Sequence, residues 1–99
     1  MAIALAQEVV MHPDYDKLST LEKRYILLPF MHSESLDLHN WAYKYFEELG
    51  DEEFMHYEML HREVLEKFGR YPYQNDDLGR ESTPEELEYI RKKGGRFYS

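Results

Sequence analysis

Residues that begin α-helices recur along this chain, and they limit it to a helical fold. Ser19 and Glu22 have the spacing of a capping box, in which each side chain bonds the backbone N–H of the other. Ser33 and Asp51 are placed to cap the next two helices, and a Thr-Pro-Glu-Glu string from Thr83 begins the last. The signals predict helices over about residues 2–10, 19–28, 34–49, 52–68 and 84–93.

Apolar residues recur within these segments at the spacing of one helix face, i, i+3, i+4, i+7, which is typical of amphipathic helices. The third segment carries the stripe Leu38, Trp41, Ala42, Tyr45, Phe46 and Leu49. The fourth carries Phe54, Tyr57, His61, Val64, Leu65 and Phe68. No segment alternates with the period of a β-strand for long enough to form one. We therefore predict a single all-α domain over residues 1–99, with about five helices in stacked antiparallel pairs.

Composition argues against several classes of function. The formal net charge of −8 disfavours general binding to nucleic acids or to anionic membranes. The absence of cysteine excludes disulfides, thiolate catalysis and cysteine-based zinc sites. The apolar run over residues 1–6 lacks the basic flank of a signal peptide and is too short to span a bilayer. We expect a cytoplasmic protein with neither a nucleic-acid nor a membrane partner.

Two histidines are candidates for chemistry. His61 lies on the apolar stripe of the fourth helix, which predicts that its ring faces the interior, near the loop of residues 70–80. It is either a core histidine with paired nitrogens or a pocket residue that acts as a base or anion ligand. His32 lies between Pro29, where the second helix is predicted to end, and Ser33. Its ring either bonds nearby backbone or helps the free N–H groups of the next helix to bind an anion.

Three arginines form a second group of candidates. Arg62 follows His61, whereas Arg70 and Arg80 each follow a glycine whose backbone freedom allows a sharp turn. A guanidinium group suits two-point capture of a carboxylate or phosphate. The alternative is that these arginines pair with some of the 20 acidic residues and only hold the loop in place.

No metal or cofactor is predicted. Glu53 with His56, and Glu58 with His61, have the i, i+3 spacing used in di-iron helical bundles. Both pairs lie on one helix, however, and their histidines point about 140° apart around its axis, so they cannot share a metal. No HExxH motif, phosphate-binding loop or Ser-His-Asp arrangement is recognisable.

Three strings occur in a fixed order: LPFMHSE at 28–34, HREVLEKFGRYP at 61–72 and LGRESTPEE at 78–86. Together they resemble the bacterial domain-of-unknown-function family 924, and the likeness runs from the first helix to about Tyr89. The resemblance implies a tetratricopeptide-like α/α superhelix and carries no established activity. The candidate pocket comprises positions that match the family pattern, namely His32, Ser33, Glu34, His61, Arg62, Arg70, Asn75 and Arg80.

The chain departs from the family pattern in two respects. Tyr73 and Gln74 stand where members typically have His-Arg, which removes a basic residue from the candidate pocket. The chain also resembles only the C-terminal half of longer members, and its first helix starts at Ala2 without a capping residue. We therefore expect a second copy or a partner chain to supply the missing helices. The apolar residues predicted to receive them are Ile3, Leu5, Val9 and Val10 of the first helix, with the face of Trp41 and Tyr45. The alternative is that the short form has repacked and buries the first helix within itself.

Two functions compete. The first is a non-catalytic helical interaction module, in which the histidines, arginines and glutamate form a buried network that holds the loops. The second is a binding protein or enzyme that uses the same residues on a small anionic molecule. The acidic surface, the half-length chain and the helical fold favour the interaction module. Convergence of the arginines and histidines on one open pocket would favour the alternative.

Overall fold

The computed structural model describes residues 2–92, which contain no β-strand. Their α-helices are α1 (Ile3–Met11), α2 (Thr20–Met31), α3 (Leu36–Leu49), α4 (Glu52–Phe68) and α5 (Pro84–Lys92). Two short 3₁₀ helices cover Pro13–Lys17 and Pro72–Gln74. The predicted all-α class is confirmed, and so is the prediction of about five helices. The predicted last residue of the final helix, Lys93, lies outside the described residues.

Most helix ends lie where the sequence predicts them. Both bonds of the Ser19–Glu22 capping box are present, at 3.0 and 3.1 Å. The Asp51 carboxylate caps α4 by accepting the backbone N–H three residues on, at 3.0 Å. Gly50 and Gly69 end α3 and α4 in the left-handed conformation, with φ of +68° and +74°. These ends are predictable because each depends on residues within one helical turn.

The junction between α2 and α3 differs from the prediction. The helix continues through Pro29, and Ser35 rather than Ser33 caps α3, so both predictions were wrong. Proline cannot donate the backbone hydrogen bond of a helix interior. Burial of Phe30 and Met31 holds the last turn of α2 against the core and offsets that loss.

The helices α2, α3 and α4 form the centre of the fold. Helix α3 contacts both α2 and α4, and it is joined to them by short connections over residues 32–35 and 50–51. Short connections of this kind make neighbouring helices antiparallel. Consequently α2 and α4 run in the same direction, side by side and in contact.

The first helix is not the exposed apolar surface that the sequence predicts. It packs against α2, with Ala6 and Val10 buried and Ile3 and Val9 half-buried against the core. Leu5 alone of the predicted contact residues on α1 is exposed. On the second predicted face, Tyr45 is buried, whereas Trp41 stays 37% exposed.

The apolar core has two parts. The larger cluster joins α1, α2 and α3 and extends to Phe54 on α4. The smaller cluster surrounds Val64, Leu65 and Tyr71. On α4, the buried Glu58 lies between the two parts, opposite His39 of α3. Polar side chains therefore occupy the interior where the two clusters meet.

Candidate functional site

The candidate residues do not meet in one open pocket; the structure distributes them among several places. Glu34, Arg70, Asn75 and Arg80 belong to one network of hydrogen bonds around the loop after α4. His32 and His61 lie beside each other at the wall of a groove. Ser33 contributes its carbonyl oxygen to a buried cluster, and Arg62 lies apart from the other arginines.

The ion pair between Arg80 and Glu34 joins the loop after α4 to the segment just before α3. Arg80 donates through both terminal nitrogens to Glu34, at 2.8 and 2.9 Å, and through Nε to the Asn75 side-chain oxygen at 3.0 Å. Glu34 also accepts the backbone N–H of Tyr71 at 2.7 Å. The bond from Arg80 lowers the pKa of the Glu34 carboxyl. Arg80 is thus held by charged and polar groups of its own chain.

The ion pair between Arg70 and Glu86 joins the same loop to α5. Arg70 donates to both carboxylate oxygens of Glu86, at 2.8 and 2.9 Å. The same carboxylate accepts from the backbone N–H of Thr83 at 2.8 Å and from Asn75 at 3.3 Å, while the Thr83 hydroxyl accepts from the Glu86 N–H. These last bonds complete the capping box predicted for α5. Chiefly because of Arg70, the pKa of the Glu86 carboxyl falls to about 2.

Acid is expected to destabilise this protein between about pH 4.5 and pH 2. The pKa of Glu86 falls from 4.5 to about 2 on folding, so the unfolded state binds more protons across that interval. The stabilisation by Glu86 is therefore fully present above pH 4.5 and is lost as the pH falls towards 2. Glu34, whose pKa is also lowered, contributes with the same sign.

Urea unfolding at pH 6, 4, 3 and 2.5 measures this dependence. The Glu86→Gln variant serves as the control, because it lacks this titrating group and should lose less stability over the same interval. An equal loss in the two proteins would contradict the role assigned to Glu86.

A third cluster, which the sequence analysis missed, lies in the interior. His39 and Glu58 are both fully buried, with 2.7 Å between Nδ1 and Oε2. The other ring nitrogen, Nε2, lies 2.7 Å from the Ser33 carbonyl oxygen and 3.1 Å from the Tyr71 hydroxyl. A carbonyl oxygen only accepts, so we assign a hydrogen to Nε2 and one further proton to the contact between His39 and Glu58.

The buried pair had a signal in the sequence. His39 and Ala42 are three residues apart, and Glu58 lies four residues after Phe54, so both polar residues share a face with core residues. A charged residue at a core position of an amphipathic helix indicates a buried partner. Neither helix alone identifies that partner, because the pair joins residues 19 positions apart.

A groove of about 970 Å³ lies between α2 and α4. Near the helix starts, the Arg24 guanidinium lies 4.8 Å from the Phe54 ring centre. Farther along, the ring centres of His32 and His61 are 5.6 Å apart, as expected for helices running in the same direction. Tyr57, predicted to be part of the buried stripe of α4, instead lines this groove and is 38% exposed. The remaining lining residues are mostly apolar: Leu18, Leu21, Glu22, Tyr25, Ile26, Leu28 and Met31.

The two groove histidines differ in exposure. His61 is buried, its Nδ1 donates to the Tyr57 carbonyl oxygen at 2.7 Å, and its ring meets that of Tyr71 edge-on at 5.5 Å. The prediction that His61 faces the interior, near the loop, is thereby confirmed. His32 remains accessible to solvent, and its partial burial, with His61 and His39 nearby, lowers the pKa of its imidazole.

A family model described as "Bacterial protein of unknown function (DUF924)" matches residues 1–94 of the 99-residue chain. The chain belongs to this family. The resemblance predicted from the three sequence strings is thus confirmed, whereas the correspondence to the C-terminal half of longer members stays a prediction. No curated protein and no solved structure matched the chain.

In this DUF924 protein, Arg62 lies outside the network formed by Arg70 and Arg80. Arg62 donates to the Asn40 side-chain oxygen at 2.7 Å and lies 5.7 Å from the Tyr43 ring centre. It therefore belongs to the contact between α3 and α4.

Among residues 2–92, no helix is long and apolar enough to cross a membrane.

Proposed function

We propose that this DUF924 protein is a non-catalytic helical interaction module that binds an apolar segment of another polypeptide in the groove between α2 and α4. The observation that supports the proposal is the exposure of large apolar side chains there. Leu21 is 73% exposed and Tyr25 is 70% exposed, and both line the groove. A concave surface with exposed apolar side chains is typical of an interaction site.

The pattern of α2 supports the same function. Its inner face buries Ile26, Leu27, Phe30 and Met31 in the core. Its outer face carries Leu21, Tyr25 and Leu28, with His32 directly after the helix, at the spacing i, i+4, i+7, i+11. Helices that are apolar on both faces are usually covered on both. Covering the outer face would contribute roughly 25 cal/mol for each Å² of apolar surface removed from water.

The arginine network also favours an interaction module. Arg70 and Arg80 each make a two-point bond to a carboxylate of the same chain. An anionic ligand would have to displace Glu86 or Glu34 to bind these guanidinium groups. The network therefore supports the loop after α4, as expected for an interaction module.

One observation favours a second candidate, a binding protein or enzyme for small molecules. His32 and His61 place two imidazole rings at the groove wall, beside apolar side chains suited to the body of a ligand. Titration with 8-anilinonaphthalene-1-sulfonate, an apolar anion, measures this alternative. A saturable site that is lost in His32→Ala, but is not blocked by groove-binding peptides, would favour it.

The occupant of the groove is either a second copy or a different chain. A tetratricopeptide-like arrangement of the helices and a cytoplasmic location remain predictions that belong to this proposal.

Selection of random displayed peptides against the protein tests the proposed function. We expect enriched peptides whose affinity falls roughly tenfold, about 1.4 kcal/mol, for a Leu21→Ser, Tyr25→Ser double variant. Leu87→Ser is the matched control, because Leu87 is 57% exposed on α5, outside the groove. Failure to enrich any peptide that depends on the groove would contradict the proposal.

A further inference from the structure

We infer that the groove binds an amphipathic α-helix of another protein that carries basic residues at one end, next to the starts of α2 and α4. This inference rests on the proposed function and specifies the chemistry of the partner.

The walls of the groove favour a helix over an extended peptide. Both walls are helices, whose backbone N–H and C=O groups are largely paired within each helix. An extended segment would place its own unpaired backbone groups against Leu21, Tyr25 and Tyr57, at a large cost in free energy. A helix pairs its backbone internally and exposes only side chains to these residues.

The length of α2 is compatible with such a helix. The 12 residues of α2 extend over about 18 Å, which corresponds to three turns of a partner helix. Leu21, Tyr25 and Leu28 form a ridge along α2, and a partner's apolar stripe at i, i+3, i+4 and i+7 can pack beside it.

The charges at the groove determine which helix fits. Near the helix starts, Arg24 lies 3.4 Å from an Asp51 oxygen and 3.2 Å from a Glu53 oxygen, so its charge is already balanced. Arg24 and Glu22 line the groove, whereas Asp51 and Glu53 flank it through their contacts with Arg24. These three carboxylates and one guanidinium group together carry two net negative charges. At the other end, partial burial lowers the pKa of His32 and so favours its neutral imidazole.

This asymmetry favours a partner helix with Lys or Arg at the end that meets Glu22 and Glu53, and apolar residues along the rest of its face. A second copy is a poorer occupant, because each chain has a formal charge of −8 and two copies repel each other.

Fluorescence polarisation with three labelled 14-residue peptides tests the inference. The first is a stapled helix with leucines at i, i+4, i+7 and i+11 and two lysines at one end. The second replaces the lysines with glutamates, and the third scrambles the first so that no apolar stripe remains. We expect the first peptide to bind at least fivefold more tightly than the other two. Its affinity should fall about tenfold for the Leu21→Ser, Tyr25→Ser double variant, remain within twofold for Leu87→Ser, and weaken as salt is raised from 50 to 300 mM.

If the glutamate peptide binds as tightly as the first peptide, the inferred basic end of the partner is wrong. If the scrambled peptide binds as tightly as the first peptide, the inferred amphipathic helix is wrong. If none of the three binds, the inference fails while the proposed function is decided separately by the displayed peptides. Enriched groove-binding peptides that are acidic or rich in proline would keep the proposed function and contradict this inference. Sedimentation showing a dimer that is lost in Leu21→Ser would identify the occupant as a second copy and would also overturn it.

Discussion

Replacement of His39 by leucine is expected to lower the free energy of unfolding by about 3–5 kcal/mol. The side chain is fully buried, and its removal leaves the Glu58 carboxylate without its partner in the interior. The Ser33 carbonyl oxygen loses a hydrogen bond as well. Domains are typically stable by only about 5–15 kcal/mol, so the variant should be close to unfolding at room temperature. Urea denaturation followed by circular dichroism at 222 nm measures the change.

Two further variants distinguish the effect of breaking the buried pair from the effect of losing any histidine. His56→Leu changes an exposed residue on α4 and should alter stability by less than about 0.5 kcal/mol. A double variant, His39→Leu with Glu58→Leu, removes both polar partners and should be more stable than His39→Leu alone. A double variant less stable than the single one would show that the two side chains do not act as a pair.

Replacement of Glu86 by alanine is expected to lower the free energy of unfolding by about 3 kcal/mol. The substitution removes both bonds to Arg70, the bond to Asn75 and the capping bond to the Thr83 N–H. A loss of this size should lower the melting temperature of a domain of about 100 residues by roughly 10–20 °C. Differential scanning calorimetry at pH 7 provides the measurement.

Glu85 supplies the control for this variant. It lies in the same first turn of α5 but is exposed, so Glu85→Ala should cost less than about 1 kcal/mol through the helix dipole alone. Similar melting temperatures for the two variants would contradict the view that the Glu86 network holds the loop and α5 together.

The site was only partly predictable from the sequence. The turns at Gly69 and Gly79, which were expected to aim Arg70 and Arg80 inward, have φ of +74° and +68° and precede two well-bonded arginines. The choice between a ligand and an internal carboxylate as their partner was left open. That choice depends on Glu34 for Arg80 and on Glu86 for Arg70, which lie 46 and 16 positions away in the sequence.

The position of the apolar surface was also beyond the sequence. The pattern of α1 indicated little polar face, yet its packing against α2 buries Ala6 and Val10. Among the described residues, the most exposed large apolar side chains are instead those of Leu21 and Tyr25, because α1 and α3 cover other sides of α2. Hydrophobic periodicity shows that a face is apolar, but it does not show which neighbour covers that face.

The sequence by itself determined the all-α class, most helix ends and the family, because caps, glycine stops and helical stripes act over one or two turns. The tertiary structure alone decided the continuation of α2 through Pro29, the pairing of His39 with Glu58 and the groove beside Leu21. Each of these depends on burial by residues distant in the chain. Whether distant residues cover a site determines whether a proline in a helix, a charge in the interior or an exposed apolar side chain is tolerated there.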